Sequence, residues 1–193
     1  MADPVVRLPG GIFVPHGRWT AQRALAELPV ISESVIEVVD GSLVVSPRVD
    51  ALHQIVVMRL CHVLDKAARR AGMEALPELD LVVGDDLACP DIVVLPRVEV
   101  NRPWIDAADV SLVGEVWSAL GKRPCRFIGP ERYARAGIRH YLRVEFRGDH
   151  PAIFLHELAD GAYRPVAVAA AGSPFLMREP FQFGIDPAEL AER

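Results

Sequence analysis

Two short apolar runs, each carrying one carboxylate, constrain this chain more than any other feature of it. The first is Pro90-Asp91-Ile92-Val93-Val94-Leu95, entered through the polar turn Gly84-Asp85-Asp86. The second is Val110-Ser111-Leu112-Val113-Gly114-Glu115-Val116-Trp117. Runs of this length, rich in Val, Leu and Ile and bounded by turn residues, read as strands. Asp91 opens its strand and Glu115 lies near the end of its own. If the two pair antiparallel, the start of one lies beside the end of the other, and both carboxylates meet at one margin of a sheet. Ionised carboxylates in apolar surroundings repel each other unless a cation sits between them. Hard cations such as Mg²⁺ take such an oxygen-rich setting. Each acid also has a second reading, Asp91 as an Asx turn following Pro90 and Glu115 as the partner of one of the many arginines.

The rest of the chain supplies an α+β pattern around these runs. Thr20 caps a short helix through Leu28, ended by Pro29. Val35–Val39 and Ser42–Ser46 flank Asp40-Gly41, a dipeptide suited to a two-residue hairpin turn. From Asp50 to Ala71 apolar residues recur at helical spacing, and Gly72 follows as a stop. Glu74–Val83 reads as one strand interrupted near Pro77, and Pro96–Asp109, with two prolines, reads as loop. Pro130 opens a helix through Ala136, His140–Phe146 alternates as a strand, and Ala152–Leu158 with Ala162–Val168 forms a hairpin around Asp160-Gly161. The tail holds short extended pieces and a final helical turn after Asp186-Pro187. The expected architecture is an N-terminal arm with a short helix over residues 1–30, then one α+β domain over 31–193. A mixed central sheet flanked by helices, with extra β-hairpins, forms that domain.

Composition narrows the function classes. At 193 residues, 51% of them apolar, the chain can bury a full core and is not expected to be disordered. No apolar run is long enough to cross a bilayer, and the start Met-Ala-Asp-Pro lacks a signal-peptide pattern. Cys61, Cys89 and Cys125 are odd in number and widely spaced, which argues against a disulfide framework and a structural zinc site. A reducing cytoplasm is the expected compartment. Net charge is −5, yet Lys122 to Arg147 carries eight Lys/Arg against Glu131 and Glu145. That segment reads either as a surface for phosphate oxygens or as a solvated face that balances acidic neighbours. Lysine is confined to Lys66 and Lys122.

An ordered set of residues carries a resemblance. It runs through Val38-Val39-Asp40-Gly41-Ser42-Leu43-Val44-Val45-Ser46-Pro47, His53-Gln54, Asp85-Asp86 and Pro90-Asp91. It continues through Val113-Gly114-Glu115-Val116, Tyr133-Ala134-Arg135-Ala136-Gly137-Ile138 and Tyr141. The chain resembles the Uma-two family of restriction-endonuclease-like proteins, within the PD-(D/E)XK nuclease superfamily. The resemblance runs from about Glu37 to the C-terminus. It implies a restriction-endonuclease-like core and a site in which Asp91, Glu115 and the Val116 carbonyl bind Mg²⁺ or Mn²⁺, with Glu37 as a further carboxylate. It implies DNA as substrate and a homodimer as assembly.

The pattern is broken where its lysine belongs, in both expected places. The superfamily lysine, two residues after the second acid, falls here at Trp117. The Asp and Lys that relatives carry ahead of the Tyr-Ala-Arg-Ala-Gly segment fall at Cys125 and Gly129. Lys122 is the nearby lysine that stands in for them as a catalytic group, while Arg126 and Arg132 offer charge but stay protonated. His53 reads as a partly buried histidine bonded to a strand rather than as a catalytic group. Two functions follow, a metal-dependent endonuclease that lacks the usual lysine, or a catalytically inactive nuclease fold serving as a binding module.

Overall fold

The structure, a computed structural model, describes residues 5–7, 13–28, 34–47, 50–97, 103–117, 129–148 and 150–192. The chain begins with β1 (Val5–Arg7) and β2 (Phe13–Pro15), an antiparallel pair. Helix α1 (Ala21–Glu27) follows, with the Thr20 hydroxyl accepting from the Arg23 N–H as its cap. Strands β3 (Ser34–Val39) and β4 (Ser42–Pro47) form the expected hairpin. Its turn needs positive φ at both central residues, and Asp40 (49°) and Gly41 (84°) supply it.

Helix α2 (Ala51–Ala68) starts at Asp50, whose side chain accepts from the His53 N–H, and a 3₁₀ turn, Arg69–Ala71, extends it. Its buried side chains, His53, Val56, Val57, Leu60, Cys61, Leu64 and Ala68, follow a helical period and form one stripe. Leu52, Ile55 and Met58 occupy the opposite, exposed side.

The expected single strand over Glu74–Val83 is two strands in different sheets. β5 (Met73–Pro77) ends at Glu78, which adopts a left-handed φ of 45°, and β6 (Asp80–Val83) starts after the kink. Pro77 has no N–H to continue a ladder, so the chain leaves one sheet there and enters the other. β7 (Asp86–Ala88) returns beside β6, and β8 (Ile92–Pro96) re-enters the first sheet. Pro96–Asp109 is not all loop. It contains β9 (Trp104–Asp106), parallel to β6, and a 3₁₀ turn, Ala107–Asp109. Three-residue strands show no period, so only their pairing reveals them.

Next come β10 (Leu112–Trp117), α3 (Pro130–Arg135), β11 (His140–Arg147), β12 (His150–Ala159) and β13 (Ala162–Ala170). A pair of short strands, β14 (Phe175–Met177) and β15 (Phe183–Ile185), and a 3₁₀ turn, Pro187–Leu190, complete the chain. The architecture is the expected α+β with a mixed central sheet, and a second principal sheet stands beside it. The larger has the order β13-β12-β11-β10-β8-β5, and the smaller β4-β3-β7-β6-β9. In the larger, β10 and β11 are parallel and the other pairings antiparallel.

Side chains alternate across the larger sheet. Ile92, Val94, Leu112, Val116, Leu142 and Val144 face one core with α2 and Phe175, Phe181 and Phe183 from the tail. Val93, Leu95, Val113 and Tyr141 face a second core, shared with Leu81, Val83 and Ile105 of the smaller sheet and Tyr133 and Ile138 from α3 and its exit. Beyond the smaller sheet, Trp19, Ala21 and Ala24 pack on Val38, Val82 and Leu87. Backbone bonds from Trp19 N–H to the Gly41 carbonyl and from Ala21 N–H to the Asp85 carbonyl stitch α1 to the two hairpin turns. Among the described residues no helix is long and apolar enough to cross a membrane.

Candidate functional site

β8 and β10 pair antiparallel, with Leu112 opposite Val94, Val113 opposite Val93 and Gly114 opposite Ile92. One further step along the register sets Glu115 opposite Asp91. Both acids are buried, Asp91 at 2% exposure and Glu115 at 8%. The pairing inferred from the two apolar runs is thus the one the fold uses.

Gly114 explains how closely the strands approach here. A Cβ at that position would lie 3.2 Å from Ile92 Cβ, and Ile92 is wholly buried with a branched, stiff side chain. Gly114→Ala therefore overpacks the strand pair beside the two acids. We expect it to cost about 1–3 kcal/mol, read as a lower melting temperature than wild type.

Each acid is held by donors from a different element. Asp91 Oδ2 accepts from the Val116 N–H at 2.6 Å. The same oxygen lies 3.2 Å from His53 Nε2 of α2, which also lies 3.1 Å from the Val116 carbonyl oxygen. Both neighbours of Nε2 are acceptors, so Nε2 carries the proton and donates to both. His53 is wholly buried rather than partly so, and its Nδ1 has no hydrogen-bond partner. Glu115 Oε1 accepts from the Tyr133 hydroxyl of α3 at 2.9 Å. Burial, then the negative charges of Glu115 and Glu37, hold that hydroxyl well above the ordinary tyrosine range. It is therefore a fixed donor. Across the parallel pair, Arg143 of β11 is the register neighbour of Glu115.

Glu37 lies on β3, in the facing sheet, buried at 7% exposure, and accepts from the Cys89 N–H at 3.4 Å. Its field reaches Tyr133 on one side and Cys89 on the other. Burial, then the charges of Asp80, Glu37, Glu78 and Asp91, push the Cys89 thiol up, so it stays protonated. Glu78 is the acid that sequence reasoning missed. It takes an amide hydrogen bond from Gln54 of α2 at 2.7 Å, and its own N–H donates to the Asp91 carbonyl at 3.1 Å. Its left-handed backbone beside the site is a strained conformation of the kind held in place by its surroundings. Pro77 ahead of it is the one local signal of the break.

The basic segment divides. Arg132 is buried and bonded to both Asp40 and Asp86, tying α3 to two hairpin turns rather than facing the acids. Arg139 is paired with Glu157. The Arg143 guanidinium lies 4.7 Å from the centroid of the Trp117 ring and its Nε 2.8 Å from Glu145 Oε1. Lys122 and Arg126 lie outside the described residues.

The donor set suits a hard cation. Asp91, just ahead of β8, and Glu115 and the Val116 carbonyl, on β10, are all oxygen donors. Among the described residues no group of three or more His, Cys, Asp or Glu is arranged to hold a metal, so Glu37 does not close a three-acid cage with the other two. Mg²⁺ needs no such cage, because it keeps several waters and rests on one or two carboxylates.

The fold is similar to a crystal structure described as a putative nuclease belonging to DUF820 from Anabaena variabilis ATCC 29413. The TM-score is 0.66 at 16% identity, covering 90% of this chain and 99% of that one. At that identity the likeness is one of fold. No curated protein matches the chain. The Uma2 family model, described as "Putative restriction endonuclease", matches residues 24–190. That span takes in both sheets, all three acids and both of the helices that contact them, and the chain belongs to the Uma2 family.

Proposed function

We propose that this chain is a divalent-cation-dependent nuclease that hydrolyses DNA phosphodiester bonds through Asp91 and Glu115. The observation that supports it is the β8–β10 register, which sets two buried carboxylates opposite each other at a strand end. Asp91, Glu115 and the Val116 carbonyl are the protein ligands in this reading, and Glu37 adds negative charge from the facing sheet. When bound, Mg²⁺ or Mn²⁺ lowers the pKa of a water and offsets charge on the phosphoryl oxygens. The chain's own residues orient the ligands, Tyr133 holding Glu115 and the Val116 N–H holding Asp91. Where the superfamily lysine would stand, Trp117 carries the Arg143 guanidinium over its ring. Arg143 takes over the electrostatic half of that lysine's work, although a guanidinium gives up no proton. Lys122 is the second candidate for that charge.

Trp117 at the lysine position also favours a second reading, in which the fold binds DNA or a protein without cutting. Plasmid DNA incubated with the full chain and Mg²⁺ or Mn²⁺ separates the two. The nuclease relaxes or linearises the plasmid, stops on chelation with EDTA, and is inactivated by Glu115→Gln. Retardation of the plasmid on a gel without any cleavage leaves the binding module. Lys122→Ala in the same assay tells whether Lys122 or Arg143 supplies the charge.

A further inference from the structure

We propose that His53 is a positioning residue for the cation site, setting the spacing of the Asp91 carboxylate and the Val116 carbonyl through one shared proton. The inference rests on the cation reading above and adds a residue to it. Nε2 lies 3.2 Å from Asp91 Oδ2 and 3.1 Å from the Val116 oxygen, so a single N–H bridges an acid that precedes β8 and a carbonyl near the end of β10. Asp91 lies just outside the paired residues of β8. The Val116 N–H holds its Oδ2 at 2.6 Å, and the His53 proton adds the tie from that oxygen to the Val116 carbonyl. The backbone of His53 is itself fixed, since its N–H is capped by Asp50 Oδ1 at 2.9 Å. The side chain is fully buried on the α2 stripe, with no solvent to share the proton.

The other ring nitrogen argues that this bond, and not packing, keeps a histidine here. Nδ1 is buried with no hydrogen-bond partner. A residue present only to fill space would be better as an apolar side chain, which leaves no polar atom stranded. What an apolar residue lacks is the Nε2 proton. A donor shared between the Asp91 carboxylate and the Val116 carbonyl fixes how the two groups are oriented relative to each other, which is how partners behind metal ligands act.

The test uses the full chain, Mn²⁺ as probe, and two substitutions of similar size. His53→Met fills the space and donates nothing, whereas the His53→Gln amide can donate to the same oxygens. Isothermal titration calorimetry should show Mn²⁺ affinity about 10–100-fold weaker in His53→Met and largely restored in His53→Gln. Melting temperatures without metal should stay close to wild type in both. If His53→Met does not fold, His53→Asn, whose amide is too short to reach both oxygens, replaces it. Wild-type Mn²⁺ affinity in the non-donating variant overturns the proposal and leaves the cation site standing, as does equal loss in both variants. No Mn²⁺ binding by the wild-type chain overturns the cation reading and this one together.

Discussion

Asp91→Ala should abolish DNA cleavage and lower the melting temperature of the chain without metal. The two effects have separate causes. Truncation removes a proposed cation ligand, and metal stabilisation of a phosphoryl transition state is worth several kcal/mol, so a loss of about 10²-fold or more is expected. Truncation also strands one buried donor, the Val116 N–H, and leaves the His53 Nε2–H with the Val116 carbonyl as its remaining acceptor. A buried donor left without its acceptor costs about 1–3 kcal/mol. Asp91→Asn separates the causes, because its amide oxygen still accepts while the negative charge is gone. Cleavage should be lost in both variants, and the melting temperature should fall mainly in Asp91→Ala. Full cleavage by Asp91→Asn would remove Asp91 from the cation site and leave it a structural cap on the strand pair.

Leu60→Ala should bring the largest loss of stability, about 2–5 kcal/mol. Leu60 is wholly buried in the stripe of α2, packed in the core that also takes Ile92, Val94, Leu112 and Val116. A helix bonded along its own length and anchored at Asp50 cannot collapse into the space a lost isobutyl group leaves. For a chain of this size, 1 kcal/mol moves the melting temperature by roughly 2–4 °C, so a drop of about 4–20 °C is expected. Ile55→Ala is the control. Ile55 is 40% exposed on the other side of α2, and its loss should change stability by no more than about 0.5 kcal/mol. An equal fall in both variants, followed by calorimetry, would mean that α2 is held by its exposed stripe and not by the sheet.

Turns and the long helix are set by local residues, and the elements that are not share one cause. The two hairpin turns follow from Asp40-Gly41 and Asp160-Gly161, where the residues themselves allow the backbone angles. Helix α2 follows from a seven-residue buried stripe between Asp50 and Gly72. Glu74–Val83 does not follow in the same way. Pro77 marks a break locally, but nothing local says that the chain changes sheets at Glu78, whose left-handed conformation is held by bonds to Gln54 and Asp91, distant in the chain. Strand β9 is hidden for the same reason, its three residues acquiring meaning only beside β6.

The candidate site divides along that line. Two carboxylates at opposite ends of two apolar runs, and the tryptophan two residues after the second, are properties of the residue order. The juxtaposition of the carboxylates was conditional on an antiparallel pairing, and the register of β8 on β10 carries Glu115 one step on to the position opposite Asp91. The order of residues also could not assign donors. His53 comes from α2 and Tyr133 from α3, on opposite faces of the larger sheet, and each reaches its acid through a core formed only when the layers close. Arg132 and Arg143 look alike in the basic segment, yet one is spent on two hairpin turns and the other stacks on Trp117 and pairs with Glu145. Turns, periods and strand polarity depend on neighbours within a few positions, whereas the partner of a buried charge depends on which distant surface excludes its water.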